Sequence, residues 1–133
     1  MSPVFAKLNL CNQPEILVLD APVSFEPELA TLQGVRVRRD LAEVATVSFA
    51  LVFVTRQAAL DAVSEAVTTK AHGDALLWFA YPKKTSRRYA CEFNRDAGWD
   101  VLRAHGFDTV RQVAIDEDWS ALRFRRTDYI GRD

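Results

Sequence analysis

The stretch "SFALVFV", residues 48–54, decides the fold of this protein, because it is apolar at nearly every position. A strand with one face in water alternates apolar and polar residues, and this run has no polar face of that kind. The run "ALLWFA", residues 75–80, has the same character. Both runs predict central strands of a sheet whose two sides are covered by helices.

Two further strands are predicted before these runs. The short apolar run "ILVL", residues 16–19, predicts a buried strand that stops at "DAP". The alternating segment "VRVRR", residues 35–39, predicts an edge strand with one wet face. Between them, "SFEPELATLQG" predicts a short helix whose N-cap is Ser24.

Two more helices are predicted farther along the chain. The segment "RQAALDAVSEAVTTKAH" follows Thr55, which we expect to be its N-cap. Its apolar residues recur at the spacing of one helix face. The predicted buried stripe consists of Ala59, Val63, Ala66 and Val67. The segment "RDAGWDVLRAH" follows Asn94, a second predicted cap.

The last two predicted strands, "TVRQVAI" and "WSALRFRR", are joined by Asp116, Glu117 and Asp118. Turns collect aspartate and similar residues, so we interpret the three acids as a hairpin turn rather than a catalytic cluster. Strands that alternate with helices imply a mostly parallel sheet, and the hairpin adds an antiparallel end. We therefore predict a single Rossmann-like α/β domain over residues 1–133.

Composition limits the classes of function. A chain of 133 residues suffices for one core, and a net charge of −1 gives no overall attraction to nucleic acid or anionic membrane. The sequence shows no basic leader, no apolar run of membrane-spanning length and no zinc-like spacing of its two cysteines, Cys11 and Cys91. We expect a cytoplasmic protein with reduced thiols, no bound metal and no membrane partner.

In a sheet of this kind, ligands bind beyond the carboxyl ends of the parallel strands. The loop "YPKKTSRRY", residues 81–89, is predicted to lie there and carries four cations, two hydroxyls and two flanking tyrosines. Such groups can hold phosphate oxygens and stack on bases. The predicted binding residues are Tyr81, Lys83, Lys84, Thr85, Ser86, Arg87, Arg88, Tyr89, Asp20, Thr55, Asp116, Asp118 and Trp119. We expect a nucleotide, an RNA or a phosphorylated ligand.

The same loop has an alternative interpretation, in which its cations pair with the acids of the hairpin and bind no ligand. Catalysis has weaker support than binding. His72 and His105 lie at the ends of predicted helices, away from the loops. No serine, threonine or cysteine is therefore expected to have a histidine beside it that could activate it as a nucleophile. We therefore predict no catalytic residue and no cofactor.

Four segments, "ILVLDAP", "FALVFVTRQAALD", "LLWFAYPKKTSR" and "VRQVAIDEDWSALRFR", resemble an uncharacterised family of small bacterial proteins, known only as a domain of unknown function. The resemblance spans nearly the whole chain. That family has no established activity, substrate or catalytic residue, so the resemblance implies none for this chain.

More distantly, the order of elements and the terminal hairpin resemble class I S-adenosylmethionine-dependent methyltransferases. Those enzymes have a glycine-rich loop after the first strand, where glycine lets the backbone approach the cofactor. This chain has "DAPVSFEP" at that place, without glycine, and is shorter by about a helix and a strand. We predict that S-adenosylmethionine does not bind and that methyltransferase activity is absent.

The sequence favours a non-enzymatic binding or regulatory module that takes an anionic ligand on its loop face. A small enzyme of unknown reaction on a degenerate methyltransferase-like fold is an alternative that rests on analogy between folds. A structural partner or homodimer that pairs through an edge strand such as "VRVRR" is a third, although arginines at an edge oppose such pairing. The sequence leaves the oligomeric state open.

Overall fold

The computed structural model describes residues 2–131 of the chain. The strands are β1 (Glu15–Leu19), β2 (Arg36–Arg38), β3 (Val47–Phe53), β4 (Ala71–Pro82), β5 (Phe107–Ala114) and β6 (Trp119–Arg126). Within the described range these six strands form one sheet in the order β2-β1-β3-β4-β6-β5. The first four strands pair in parallel, and β6 pairs antiparallel with both β4 and β5. The predicted Rossmann-like α/β fold, closed by a C-terminal antiparallel hairpin, is confirmed.

Helices cover both sides of the sheet. The helices are α1 (Pro3–Lys7), α2 (Glu26–Ala30), α3 (Gln57–Lys70) and α4 (Asp100–Ala104). One apolar cluster joins the sheet to Leu60 of α3 and Leu102 of α4, and the other joins it to Phe5 of α1 and Leu29 of α2. Each central strand contributes one face to each cluster, so its side chains are apolar on both faces.

Strand β3 shows this arrangement residue by residue. Ala50 and Val52 belong to the cluster under α3 and α4, whereas Phe49, Leu51 and Phe53 belong to the cluster under α1 and α2. All five side chains are nearly inaccessible to solvent. The run "SFALVFV" therefore has its predicted central place in the sheet.

The sequence did not predict helix α1, because five residues are too few to display a helical period. A tertiary contact holds the end of this helix. The buried indole Nε1 of Trp78, on β4, donates a hydrogen bond to the carbonyl oxygen of Leu8 at 2.9 Å.

The predicted caps of two helices are wrong. Ser24 does not cap α2, because the chain first makes a 3₁₀ turn at Val23–Phe25 and the helix has no side-chain cap. Thr55 does not cap α3, because the helix is preceded by Arg56, which also makes no side-chain cap bond.

The buried stripe of α3 lies one residue beyond the predicted one. Leu60, Ser64, Val67 and Thr68 are the buried residues of this helix. The larger side chain of Leu60 takes the core position, which leaves Ala59 exposed and Val63 half-buried beside a surface cleft. Helical spacing alone could not distinguish the two neighbouring stripes.

Helix α4 is shorter than predicted, and Asn94 is not its cap. The side-chain Oδ1 of Asn94 instead accepts hydrogen bonds from the amides of Asp96 and Ala97, at 2.8 and 3.0 Å, and builds a turn. Asparagine bonds its own backbone in this way in both turns and caps, so the residue alone did not decide between them.

Candidate ligand-binding site

A cleft of about 860 Å³ opens at the carboxyl ends of the parallel strands. It lies beside the ends of β1 and β3, where the chain order reverses: β1 leads to β2 on one side, and β3 leads to β4 on the other. Open α/β sheets bind ligands at such switch points. We call it the switch-point cleft. Its lining residues are Asp20, Pro22, Val23, Ser24, Phe53, Val54, Thr55, Arg56, Ala59, Val63, Arg88, Tyr89 and Trp119.

Asp20 lines the cleft directly after the end of β1. Its backbone φ is 58°, in the left-handed region that residues other than glycine seldom occupy, although aspartate tolerates it better than most. The residue is exposed, so its carboxylate is accessible to a ligand. Strained backbone of this kind collects at functional sites.

Two arginines reach the cleft from different loops. Arg56 follows β3, and Arg88 belongs to the loop after β4. Within residues 2–131 neither guanidinium forms an ion pair or a side-chain hydrogen bond. Both cations are therefore available to an anion in the cleft.

Aromatic rings form one wall of the cleft. The ring of Trp119 lies 5.1 Å from that of Phe53 and 4.8 Å from that of Tyr89, between ring centroids. The indole Nε1 of Trp119 is buried and has no hydrogen-bond partner within the described residues. A buried donor without a partner is uncommon and is often explained by a bound water or ligand.

The loop after β4 and the acidic hairpin touch through hydrogen bonds rather than ion pairs. The backbone amide of Lys83 donates to the carbonyl oxygen of Asp118 at 2.8 Å, and the hydroxyl of Ser86 donates to the Asp118 carboxylate at 2.9 Å. The Asp116 carboxylate accepts from the amides of Asp118 and Trp119, at 2.8 and 2.9 Å. These acids are therefore turn-forming groups, as predicted for the hairpin.

The alternative interpretation, in which the loop cations neutralise the hairpin acids, has no support in this geometry. Within residues 2–131 no side chain of Lys83, Lys84, Arg87 or Arg88 forms an ion pair. The cations of this loop remain uncompensated although the carboxylates lie next to it.

A second cavity, of about 520 Å³, lies on the other side of Tyr89. Its lining residues are Tyr81, Pro82, Lys83, Lys84, Tyr89, Ala90, Cys91, Glu92, Phe93, Asn94, Arg95, Gln112 and Ser120. A chain of hydrogen bonds runs along its wall. The guanidinium Nε of Arg95 donates to Gln112 Oε1 at 2.5 Å, and Gln112 Nε2 donates to the Tyr81 hydroxyl oxygen at 2.9 Å.

The loop segment 89–95, which lines much of the second cavity, is fixed to helix α3. Glu92 Oε1 accepts a hydrogen bond from the Gln57 amide at 2.8 Å, and so caps the helix from another part of the chain. The Gln57 side chain in turn donates to the carbonyl oxygen of Gly98 at 2.8 Å. Gly98 has a φ of 107°, and an added Cβ would lie 2.6 Å from Phe93 Cβ. Only glycine fits there without movement of the neighbouring chain.

Burial affects two titratable groups of the second cavity. It raises the pKa of the Tyr81 phenol, although Arg95 and the bond from Gln112 oppose this effect, and the tyrosine stays protonated at neutral pH. Burial likewise raises the pKa of the Cys91 thiol, which lowers its reactivity as a nucleophile.

The structure divides the predicted binding residues among three environments. The switch-point cleft holds Asp20, Thr55, Arg88, Tyr89 and Trp119, and the second cavity holds Tyr81, Lys83, Lys84 and Tyr89. The remaining residues line neither space. They are Thr85, Ser86, Arg87, Asp116 and Asp118.

Sequence reasoning missed several residues of these sites. Arg56 stands in the segment "TRQ" directly after a predicted central strand, so its place could have been found from the topology alone. Arg95 and Gln112 meet only because a long loop folds back over β5, and no sequence pattern signals that contact.

Residues 2–131 contain no group of three or more histidine, cysteine, aspartate or glutamate side chains arranged to hold a metal ion. Nor does any helix among them combine the length and apolar character needed to cross a membrane.

Comparisons with known proteins identify the fold. No family model and no curated protein matches the chain, so the resemblance to an uncharacterised family stays a prediction. Solved structures do match. An S-adenosylmethionine-dependent methyltransferase from Aquifex aeolicus is 13% identical, with a TM-score of 0.68 over 92% of this chain and 87% of that one.

Two other solved structures are similar. Magnesium protoporphyrin IX methyltransferase from Synechocystis PCC 6803, with bound SAH, is 13% identical, with a TM-score of 0.59 over 92% of this chain and 78% of that one. N-methyltransferase NodS from Bradyrhizobium japonicum WM9 is 15% identical, with a TM-score of 0.52 over 84% and 73%. At such identities the likeness shows the fold alone, and it confirms the predicted distant resemblance to methyltransferases.

Proposed function

We propose that this protein is a small enzyme that binds an anionic, ring-bearing small molecule in the switch-point cleft. The observation that carries the proposal is the pair Arg56 and Arg88, which line the cleft from two loops and have no ion pair within residues 2–131. Unpaired guanidinium groups suit carboxylate or phosphate oxygens, which they can hold with two parallel hydrogen bonds.

The rest of the lining supports a ring on the ligand. Trp119, Tyr89 and Phe53 give the cleft an aromatic side, and planar groups stack well on such rings. The volume of about 860 Å³ is in the usual range for small-molecule sites. A nucleotide combines the required anionic group with the required ring.

An enzyme is favoured over a purely regulatory module by the likeness to solved methyltransferases. Asp20 is the group in the cleft with the clearest potential for proton transfer or substrate orientation, because its carboxylate is exposed at a strained position after β1. The proposal does not extend to methyl transfer, since the segment after β1 lacks the glycines that admit the cofactor in such enzymes.

The binding part of the proposal can be tested by thermal shift with nucleoside mono-, di- and triphosphates and aromatic carboxylates at low and high salt. A ligand that binds only the folded protein raises the melting temperature. We expect a rise that diminishes with salt and is lost in the variant Arg56→Ala/Arg88→Ala. Arg36→Ala should leave the rise intact, because it removes an exposed arginine of the edge strand β2 beside the amino end of β1, opposite the end where the cleft opens.

The catalytic part is tested with any ligand that passes the first test. The ligand is incubated with the protein, and its conversion is followed by mass spectrometry. We expect conversion by the natural chain and none by Asp20→Asn, with unchanged binding in that variant. Binding without conversion would support a regulatory module instead. If no tested ligand binds in a way that requires Arg56 and Arg88, the whole proposal is excluded.

A further inference from the structure

The second cavity combines groups that the switch-point cleft does not use. Lys83, Lys84 and Arg95 bring three cations to its lining, against one carboxylate, that of Glu92. Glu92 Oε1 is already bonded to the Gln57 amide at the start of α3. Arg95 has an ion pair with Asp96 at 3.2 Å, whereas the two lysines have none within residues 2–131. The cavity lining is therefore net positive.

The hydrogen-bond chain on the wall leaves one donor free. An arginine can only donate, so the Gln112 oxygen must face Arg95, and its amide nitrogen must face Tyr81. The Tyr81 oxygen then accepts from Gln112, and its own hydroxyl proton has no acceptor within the described residues. Tyr81 is only 4% exposed, so this donor has few routes to bulk water other than the cavity.

We propose that the second cavity is a separate binding site for the phosphate group of a phosphorylated small molecule. A phosphate monoester carries close to two negative charges and three acceptor oxygens, which match the two free lysines, Arg95 and the Tyr81 hydroxyl. The aromatic rings of Tyr89 and Phe93 flank these groups and can cover the rest of the ligand. This site does not depend on the function proposed for the switch-point cleft.

The structure also explains why this site is preformed. Gln112 holds Arg95 in place, the Glu92 cap and the Gln57–Gly98 hydrogen bond fix the loop, and the close contact at Gly98 excludes side chains there. A preformed site loses little conformational freedom when a ligand binds, so even a small anion can be retained.

Nuclear magnetic resonance can separate the two sites in one titration. The side-chain amide of Gln112 and the Nε–H of Arg95 report on the second cavity, whereas the Nε–H of Arg56 and the indole N–H of Trp119 report on the switch-point cleft. The probes are inorganic phosphate, AMP and adenosine. We expect saturable shifts at Gln112 and Arg95 with phosphate and with AMP, but not with adenosine.

Variants then connect the shifts to the residues. Lys83→Ala/Lys84→Ala should weaken phosphate binding about tenfold or more, and Tyr81→Phe about fivefold. The matched control Arg36→Ala/Arg87→Ala removes two exposed cations that line neither space, and it should change the affinity by less than about twofold. Should the double lysine variant fail to fold, Lys84→Ala alone changes an exposed side chain and still tests the site.

Three outcomes would overturn this proposal. Equal losses in the lysine variant and the control would mean general surface attraction of anions. Shifts confined to Arg56 and Trp119 would assign phosphate to the other cleft. No saturable shift at tens of millimolar phosphate, with the fold intact, would exclude the site.

Discussion

Glu92 links the loop after β4 to helix α3, because its carboxylate accepts a hydrogen bond from the Gln57 amide at 2.8 Å. Amides in the first turn of a helix have no partner inside the helix, and a negative charge there also interacts favourably with the helix dipole. One side chain therefore stabilises the helix start and fixes the loop of the second cavity. The predicted cap, Thr55, forms no such bond.

We expect Glu92→Ala to lower the free energy of unfolding by about 1 kcal/mol, the usual effect of losing a cap. Thr55→Ala should change it by less than about 0.5 kcal/mol, because the Thr55 side chain has no cap bond to lose. Denaturant unfolding of both variants measures the difference. A larger loss for Thr55→Ala than for Glu92→Ala would contradict the assignment of the cap.

Gly98 is a second residue whose identity the structure requires. An added Cβ would lie 2.6 Å from Phe93 Cβ and 2.7 Å from Gln57 Oε1, at a φ of 107°. We expect Gly98→Ala to destabilise the protein by about 2 kcal/mol or more, through steric contact and backbone strain together. Gly34→Ala is the control, because its φ of 71° is also positive but its Cβ would meet nothing within 4 Å.

The control should lose only about 1 kcal/mol, the cost of the left-handed conformation. Both free energies come from the same denaturant experiment. Equal losses in the two variants would show that crowding at Gly98 has no effect.

Among the elements, the hairpin between β5 and β6 depends on one carboxylate. Asp116 Oδ1 accepts from the amides of Asp118 and Trp119 and closes the turn. We expect Asp116→Ala to destabilise the protein by about 1 kcal/mol. Glu117→Ala, at an exposed neighbouring position without a hydrogen bond within residues 2–131, should be neutral in the same unfolding measurement.

The hydrogen bonds of the hairpin acids also bear on whether these acids would compete with an anionic ligand for the loop cations. Because Asp116 and Asp118 bond amides and a hydroxyl rather than cations, neutralising them removes no internal competitor. Stronger anion binding after neutralisation would show that the carboxylates repel the ligand at longer range.

Strands β4 and β6 are joined by an ion pair in which Arg125 donates to Asp74 at 2.8 and 2.7 Å. Hydrogen bonding from Arg125 lowers the pKa of Asp74, and burial only partly opposes it. A carboxyl group with a lowered folded pKa stabilises the protein above the unfolded pKa, near pH 4, and loses this contribution as the pH falls through the folded value.

We therefore expect Asp74→Asn to be less stable than the natural chain at neutral pH. The difference in unfolding free energy should begin to shrink as the pH falls below about 4, the unfolded pKa, and should vanish below the lowered folded pKa, where Asp74 is protonated in both states. Urea unfolding between neutral and acidic pH measures it. A difference that stays constant over this range would exclude a stabilising charge on Asp74.

For the whole molecule, the fold is similar to that of solved methyltransferases, but the segment after β1 lacks the glycine-rich loop expected of that class. Ala21 and Pro22 are half-buried there, Val23 is 87% exposed, and the segment contains no glycine. We expect no binding of S-adenosylmethionine in calorimetric titration, because the segment lacks the glycines that let a backbone approach the cofactor closely. A methyltransferase of known affinity is the positive control, and a micromolar or tighter Kd would contradict the prediction.

The sequence by itself determined the order of strands and helices, the central position of β3 and β4, and the closing hairpin. These features follow from local patterns, because a strand buried on both faces must be apolar at successive positions, as Phe49, Ala50 and Leu51 are. Connection rules then order the strands and bring the loops after β1, β3 and β4 to one face. For that reason Asp20, Thr55 and Arg88 were correctly expected on the same side of the sheet.

Only the tertiary structure decided which groups meet there. Thr55 is a favoured cap by residue type, whereas Glu92 suits a helix start through its charge, and the long loop that returns to α3 selects Glu92. Likewise, Arg95 reaches Gln112 across the fold, and three of the four cations of the basic loop line one of two spaces instead of pairing with the hairpin acids. The physical reason is that strand patterns are fixed by neighbours a few residues apart, whereas these contacts join residues 17 to 35 positions apart, whose distance no local pattern sets.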